Sequence, residues 1–273
     1  MLITLGGVIG VGKSSLTHIL SELLDTKAVY EPVSENPLLE KFYEDKAKYG
    51  FIFQIDMLSK RFEMIQEAMS IKNGVLDRSI YEDSIFLDQL ASDGHVTKLE
   101  QEVYHSLLNR MLKELEPLPK KSPDLMIVLN CSFDEQIRRI NARAREFEKV
   151  EKNTELYNYF KEHHANYQQW IKKDLGFPKI VFDVTNYDFV NNKSDREVIV
   201  GEIINKLYAV HSLTAVEAVK LTVKLRDLTW NKKNATQVAL QLYNYMAGEM
   251  PFNELSQFTD NNKLYQKQHE KGE

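Results

Sequence analysis

The chain has a single cysteine, Cys131, among its 273 residues, so no intrachain disulfide can form and a reducing compartment is expected. Cys131 ends an apolar run and reads as a buried structural thiol rather than a reactive one. No uninterrupted apolar stretch reaches the length of a bilayer span. The N-terminus has neither a basic segment nor a cleavage site, so a cytoplasmic protein without membrane contact is expected. Basic charge is not in excess either: 35 Lys and Arg face 40 Asp and Glu, a net charge of −5, which argues against a general nucleic-acid binder. The seven histidines show no metal-ligand spacing, and no internal repeat or low-complexity segment occurs. The two tryptophans, Trp170 and Trp230, read as packing residues. What remains is an ordinary globular composition, 43% hydrophobic and 27% charged, long enough for one or two domains with a sizeable core.

Glycine is scarce as well, with 11 in all, yet four of them crowd into Gly6-Gly7-Val8-Ile9-Gly10-Val11-Gly12-Lys13-Ser14-Ser15. Gly7, Gly12, Lys13 and Ser14 fit G-x-x-x-x-G-K-[ST] without mismatch. Glycines let the chain wrap tightly and aim several N–H groups inward, a nest for phosphate oxygens completed by the positive end of the following helix. The apolar run Leu2–Leu5 precedes this loop, and Leu16, Ile19, Leu20, Leu23 and Leu24 follow at helical spacing. The motif therefore predicts that Gly7, Val8, Ile9, Gly10, Val11, Gly12, Lys13, Ser14 and Ser15 bind ATP. Lys13 reaches the outer phosphates and Ser14 holds Mg²⁺.

Five short β-rich runs stand out: 2–6, 27–33, 74–79, 124–132 and 179–185. Helical spacing fills 13–24, 35–47, 49–72, 80–92, 97–116, 133–148, 153–175 and 194–210, and 117–123 reads as a Pro-rich loop. Strands alternating with helices predict an α/β fold of the P-loop kinase type, a five-stranded parallel sheet flanked by helices. Ligands then sit at the carboxyl ends of the strands, where the phosphate loop, Glu31 and Asp77-Arg78-Ser79 all fall. Beyond residue 211 no strand is expected. Amphipathic helices over 213–228, 234–246 and 252–264 form a C-terminal extension to a kinase domain of residues 1–210, and the polar end from 263 frays.

Glu31 interrupts an apolar strand at its end, with Pro32 fixing the chain direction. A carboxylate beside a triphosphate either holds a metal or takes a proton from an attacking hydroxyl. Asp77 can reach Mg²⁺ through water, and Arg78 can bridge an acid and a phosphate. Arg139 and Arg143 share one face of a helix in the basic cluster 138–145, suited to charge spread over a phosphoryl group in flight. Gln54 sits inside the apolar run 51–58, where an unpaired amide is costly and a planar base would pair it.

Together these motifs resemble the deoxyribonucleoside kinase family over about residues 1–210, with bacterial deoxyadenosine kinases as its nearest members. The signatures are the loop Gly7–Ser14, Glu31-Pro32-Val33, Tyr43 with Gln54, Asp77-Arg78-Ser79 and Arg139–Glu148. The resemblance implies transfer of the γ-phosphate of ATP to a deoxynucleoside 5′-hydroxyl in nucleotide salvage, with Mg²⁺. It assigns Glu31 as general base with Arg78 beside it, and Tyr43 and Glu148 to the 3′-hydroxyl. It gives Gln54 to the base, Arg61 paired with Asp83 to base selection, and Arg139, Arg143 and Arg145 to a lid over ATP. Deoxyadenosine is the expected substrate, then deoxyguanosine or deoxycytidine, and at least a homodimer is implied. Asn141 stands where some relatives carry arginine, and Asp77 where several carry glutamate. Two other readings stay open on the residues alone: a nucleoside monophosphate kinase, and a P-loop scaffold subunit without turnover. Against the first, Tyr30 stands where thymidylate kinases typically place arginine before Glu-Pro.

Overall fold

The computed structural model describes residues 1–33, 35–115 and 122–229. The expected helices over 234–246 and 252–264, the polar end, Trp230 and residues 117–121 of the Pro-rich loop lie outside the described residues. The chain divides into two compact units, Met1–Asp195 and one that begins at Arg196.

The first unit is built on a parallel sheet of five strands: β1 (Leu2–Gly7), β2 (Ala28–Val29), β3 (Gly74–Asp77), β4 (Leu125–Asn130) and β5 (Lys179–Asp183). Their order is β2-β3-β1-β4-β5. Every residue of β1 is buried, as is β4 up to Leu129, which explains their continuous apolar runs: both sheet faces are covered. In register, Leu5 pairs with Asp77 and with Ile127, so the ends of β1, β3 and β4 finish on one rim.

The connecting helices are α1 (Lys13–Leu23), α2 (Leu38–Glu44), α3 (Lys46–Ser70), α4 (Ser84–Ser92), α5 (Lys98–Leu115), α6 (Phe133–Ala142) and α7 (Glu155–Trp170). Most strands and several helices are shorter than the sequence expectation, and three of the differences shape the rim. β2 stops at Val29 because Pro32 has no N–H and Val33 N turns back to the Glu31 carbonyl at 2.9 Å. That turn frees Glu31 from the ladder. The expected helix 80–92 opens with a 3-10 turn, Ile80–Glu82, capped by the Ser79 hydroxyl, which accepts from Tyr81 N. The expected helix 133–148 ends at Ala142. Ala144 has a φ of +57°, and the Asn141 carboxamide accepts from Val150 N at 2.8 Å and donates to Val150 O at 3.0 Å, closing a loop over a second 3-10 turn, Glu146–Glu148.

Cys131 is buried and burial pushes its thiol up to about 11, as a structural cysteine requires. Trp170 is buried and its Nε1 donates to Tyr81 O at 3.3 Å. In the second unit, the end of α8 (Lys193–Ala209) turns through His211 into α9 (Ala215–Thr229). Thr214 and Glu217 form a reciprocal capping box there: Thr214 N donates to Glu217 Oε2 at 2.8 Å, and Thr214 Oγ1 accepts from Glu217 N at 3.3 Å. No helix among the described residues is long and apolar enough to cross a membrane.

Candidate active site

A cavity of about 480 Å³ opens at the rim of the sheet. Its floor is the phosphate loop. Gly7 has a φ of +132°, and a Cβ there would lie 2.0 Å from the Leu129 carbonyl oxygen on β4, so only glycine fits. Gly12, at φ +105°, precedes α1, and no side chain caps that helix, which leaves its first N–H groups for an anion. Lys13 Nζ donates to the carbonyls of Gly7 and Val8, both at 2.9 Å. Burial, reinforced by the neighbouring Arg78 charge, lowers its pKa to about 7.

Ser14 Oγ donates to Asp77 Oδ2 across from the end of β3. Burial raises the Asp77 pKa, and the Ser14 hydrogen bond and Lys13 oppose it. A hydroxyl and a carboxylate side by side are hard oxygen donors, the set a Mg²⁺ ion takes when phosphates and water supply the rest. Among the described residues no group of three or more His, Cys, Asp or Glu could hold a metal.

The end of β2 delivers Glu31 into a chain of buried charges. Glu31 Oε1 accepts from Arg61 Nε at 2.7 Å and from Arg61 Nη2, and Oε2 accepts from Arg78 Nε at 3.2 Å. Burial alone would push the Glu31 carboxyl up; the two guanidinium groups overcome it and hold the pKa below the usual carboxylate range. Arg61 Nη1 also donates to Asp83 Oδ1, so the expected Arg61–Asp83 pair exists. Asp83 is wholly buried and stands behind Arg61, off the cavity wall; its Oδ2 has no hydrogen-bond partner, and burial raises its pKa to about 7.

Arg78 itself has a left-handed φ of +73°. Its Nη1 donates to Glu82 Oε1 at 3.1 Å and to the Tyr167 hydroxyl at 3.0 Å. Phe86 lies beneath both guanidinium groups, 4.9 Å from Arg78 Cζ and 5.5 Å from Arg61 Cζ.

The opposite wall is aromatic and apolar. Phe42, Tyr43, Phe53, Met57 and Tyr159 line it, with the Phe42 and Phe53 rings stacked at 4.8 Å. Gln54, on α3, faces the cavity, and its buried Oε1 meets no donor. The Tyr43 hydroxyl donates to Glu148 Oε1 at 3.3 Å; burial, then Glu148, keeps that phenol well above its ordinary pKa. Glu148 also takes Arg143 Nη2, and Arg145 Nη1 at 3.4 Å.

Arg139 stands apart from Arg143 and Arg145. Its guanidinium donates to the carbonyls of Val11 at 2.9 Å, Val184 at 2.8 Å and Tyr187 at 3.2 Å and to Glu135, tying α6 to the phosphate loop. Thus Ile9, Gly10, Gly12, Lys13, Ser14, Ser15, Glu31, Tyr43, Gln54, Arg61, Asp77, Arg78, Arg139, Arg143, Arg145 and Glu148 meet on one cavity, while Gly7, Val8, Val11 and Asp83 sit behind it.

Sequence reasoning missed Glu82, Tyr167 and Phe86. Glu82 lies four residues after Arg78, a helical-pair spacing that was legible, but the pairing of Tyr167 on α7 with both needed the fold.

The chain is similar to several known proteins. The family model described as deoxynucleoside kinase matches residues 3–209. A deoxyguanosine kinase of Lactobacillus acidophilus is 43% identical over 212 residues, covering 78% of this chain and 93% of its own. A deoxyadenosine kinase of the same organism is 37% identical over 212 residues, covering 78% and 99%. The solved structure of deoxyadenosine kinase from M. mycoides with bound dATP superposes with a TM-score of 0.64 at 29% identity, covering 74% of this chain and 99% of that one. With the phosphate loop, the five parallel strands and these likenesses in hand, the chain belongs to the deoxynucleoside kinase family of ATP-dependent phosphotransferases.

Proposed function

We propose that the chain moves the γ-phosphate of ATP to the 5′-hydroxyl of deoxyadenosine in nucleotide salvage, with Glu31 as the base. The observation that carries this is the convergence of Glu31, Arg78 and Lys13 on one cavity beside the phosphate loop. Glu31 is a weak base held ionised by two arginines. In a loose transition state the acceptor proton leaves late, so a positioned weak base is enough. Arg78 orients Glu31 and neutralises charge near the attacking oxygen. Lys13 leaves the loop carbonyls for the outer phosphates, and Arg139, Arg143 and Arg145 shield the transferring group. A Mg²⁺ ion held by Ser14 and, through water, by Asp77 would draw charge from the phosphate oxygens.

Tyr43 and Glu148, already hydrogen-bonded to each other, suit the two sides of a 3′-hydroxyl. The Gln54 carboxamide offers an acceptor beside a donor, the complement of an amino group next to a ring nitrogen, as in adenine. Arg61 and Asp83 complete the base pocket from behind. Deoxyguanosine is the second reading, favoured by the 43% likeness to a kinase of that name. Within the same reading, residues 1–210 act as the kinase domain, 211–273 as its extension, and the protein works as a cytoplasmic homodimer.

The test is a competition assay with ATP and the four deoxynucleosides. Deoxyadenosine is expected to be used first. Preference for thymidine would refute the Gln54 and Arg61–Asp83 argument, and preference for deoxyguanosine would establish the second reading. Light scattering on the full chain checks the dimer.

A further inference from the structure

Glu82 has no exposed surface, yet it is ionisable and lies directly under the phosphate loop. Its two carboxylate oxygens accept three hydrogen bonds. Oε2 accepts from Gly7 N at 3.0 Å and from the Tyr167 hydroxyl at 2.6 Å; Oε1 accepts from Arg78 Nη1 at 3.1 Å. The two donors also meet each other and close a ring, because Arg78 Nη1 donates to Tyr167 Oη at 3.0 Å. Gly6 packs so tightly on this group that a Cβ there would lie 2.9 Å from Glu82 Oε2. A buried carboxylate is costly, and its retention beneath an anion-binding loop needs a reason.

The contacts supply one. Gly7 opens the loop that cradles the donor phosphates. Arg78 is the group whose Nε holds Glu31 on the acceptor side. Arg78 also carries a left-handed backbone, a conformation that persists only when its surroundings over-determine it. The Glu82 side chain hydrogen-bonds both Gly7 and Arg78, and Tyr167 locks its orientation.

We propose that Glu82 and Tyr167 are positioning residues that hold the Arg78 guanidinium and the Gly7 end of the phosphate loop in a fixed relation, so that the acceptor hydroxyl at Glu31 lines up with the γ-phosphorus. This rests on the roles given above to Glu31 and Arg78. It concerns alignment and not nucleoside affinity, since neither Glu82 nor Tyr167 lies on the cavity wall.

The experiment compares wild type, Glu82→Gln, Tyr167→Phe, the double variant and Glu31→Gln by kcat, KM for each substrate, nucleoside binding by calorimetry and melting temperature. Glutamine must turn its NH₂ toward either Gly7 N–H or Arg78, so kcat is expected to fall about 100-fold, the scale of an ångström-sized misalignment. Nucleoside Kd should stay within about threefold. Tyr167→Phe keeps the buried ion pair and the volume, guarding against misfolding; kcat should fall about tenfold with KM unchanged, the loss expected of one hydrogen bond. The double variant should lose less than the product of the two, because both act through one ring of contacts. If Tyr167→Phe and Glu82→Gln keep kcat within twofold, or lose it only in proportion to nucleoside affinity, the proposal is overturned. Normal turnover in Glu31→Gln would instead overturn the base assignment, and the two failures are read from different variants.

Discussion

Arg61, in the middle of α3, donates to both Glu31 and Asp83, which stand on either side of it and 52 positions apart in the chain. Arg61, with Arg78, therefore holds the Glu31 carboxyl below the usual carboxylate range, and Glu31 and Asp83 share one ion network. Cutting that network at Arg61 leaves Asp83 buried without a paired cation and Glu31 with Arg78 alone. Arg61→Met is expected to destabilise the fold by about 3–5 kcal/mol in denaturant titration, the cost of an uncompensated buried charge. Adding Asp83→Asn should restore part of it; no recovery would mean that the pair is not energetically coupled.

The two acids of this network respond to pH with opposite sign. Asp83 is raised to about 7 by burial, against Arg61, so it binds its proton more tightly folded than unfolded. Its contribution to stability is full below the ordinary carboxylate pKa of ~3.9 and is lost as pH rises to about 7. Glu31 is lowered, so its contribution is present above the ordinary glutamate pKa and is lost as pH falls through its folded value. Asp83→Asn should flatten the decline in denaturation midpoint on going from about pH 4 to 7. An unchanged slope would show that Asp83 is ionised throughout.

Removing the base should separate binding from chemistry. Glu31→Gln is expected to bind deoxynucleoside with near-normal affinity in calorimetry while turnover falls about 10²–10⁴-fold, the range for a lost general base. Turnover close to wild type would reject the assignment.

ATP should bring a proton with it. Lys13, at about 7 in the free protein, is largely neutral at mild alkaline pH and regains its charge beside a polyphosphate. The bound state then holds more protons, so ATP affinity falls as pH rises from about 7 toward the ordinary lysine value near 10. Calorimetry at about pH 8 in buffers of different ionisation enthalpy should give uptake approaching one proton, and Lys13→Met should abolish it. Equal uptake in that variant would assign the proton elsewhere.

The Tyr43–Glu148 contact makes a prediction about the sugar. Tyr43→Phe is expected to raise KM for a deoxynucleoside about fivefold to tenfold, the worth of one hydrogen bond, with kcat little changed. A 2′,3′-dideoxynucleoside should be insensitive to the same change. Equal losses on both substrates would show that Tyr43 acts by packing on Phe147 and Phe160 rather than on the 3′-hydroxyl.

Much of this was legible in the linear chain. G-x-x-x-x-G-K-S is local, because its function depends on consecutive backbone N–H groups and one following lysine. The parallel sheet was legible from apolar runs alternating with helical spacing, since strands covered on both faces need no polar alternation. β2 is shorter than its apolar run because Glu31-Pro32-Val33 turns back on itself, and the helix that begins at 133 stops short of 148 because Ala144 adopts a left-handed backbone that composition does not announce.

The phosphate loop, the five apolar strand runs and the acid at position 31 can be read from the linear chain, because each is set by adjacent residues. That Asp83 stands behind Arg61 instead of on the cavity wall, that Arg139 is tied to loop carbonyls, and that Glu82 meets Gly7, Arg78 and Tyr167 follows from the folded arrangement alone. Those arrangements depend on where α3, α6 and α7 pack against the strand ends. Burial then forces every charge so enclosed to find a partner, and which partner it finds is a matter of distance in space and not along the chain.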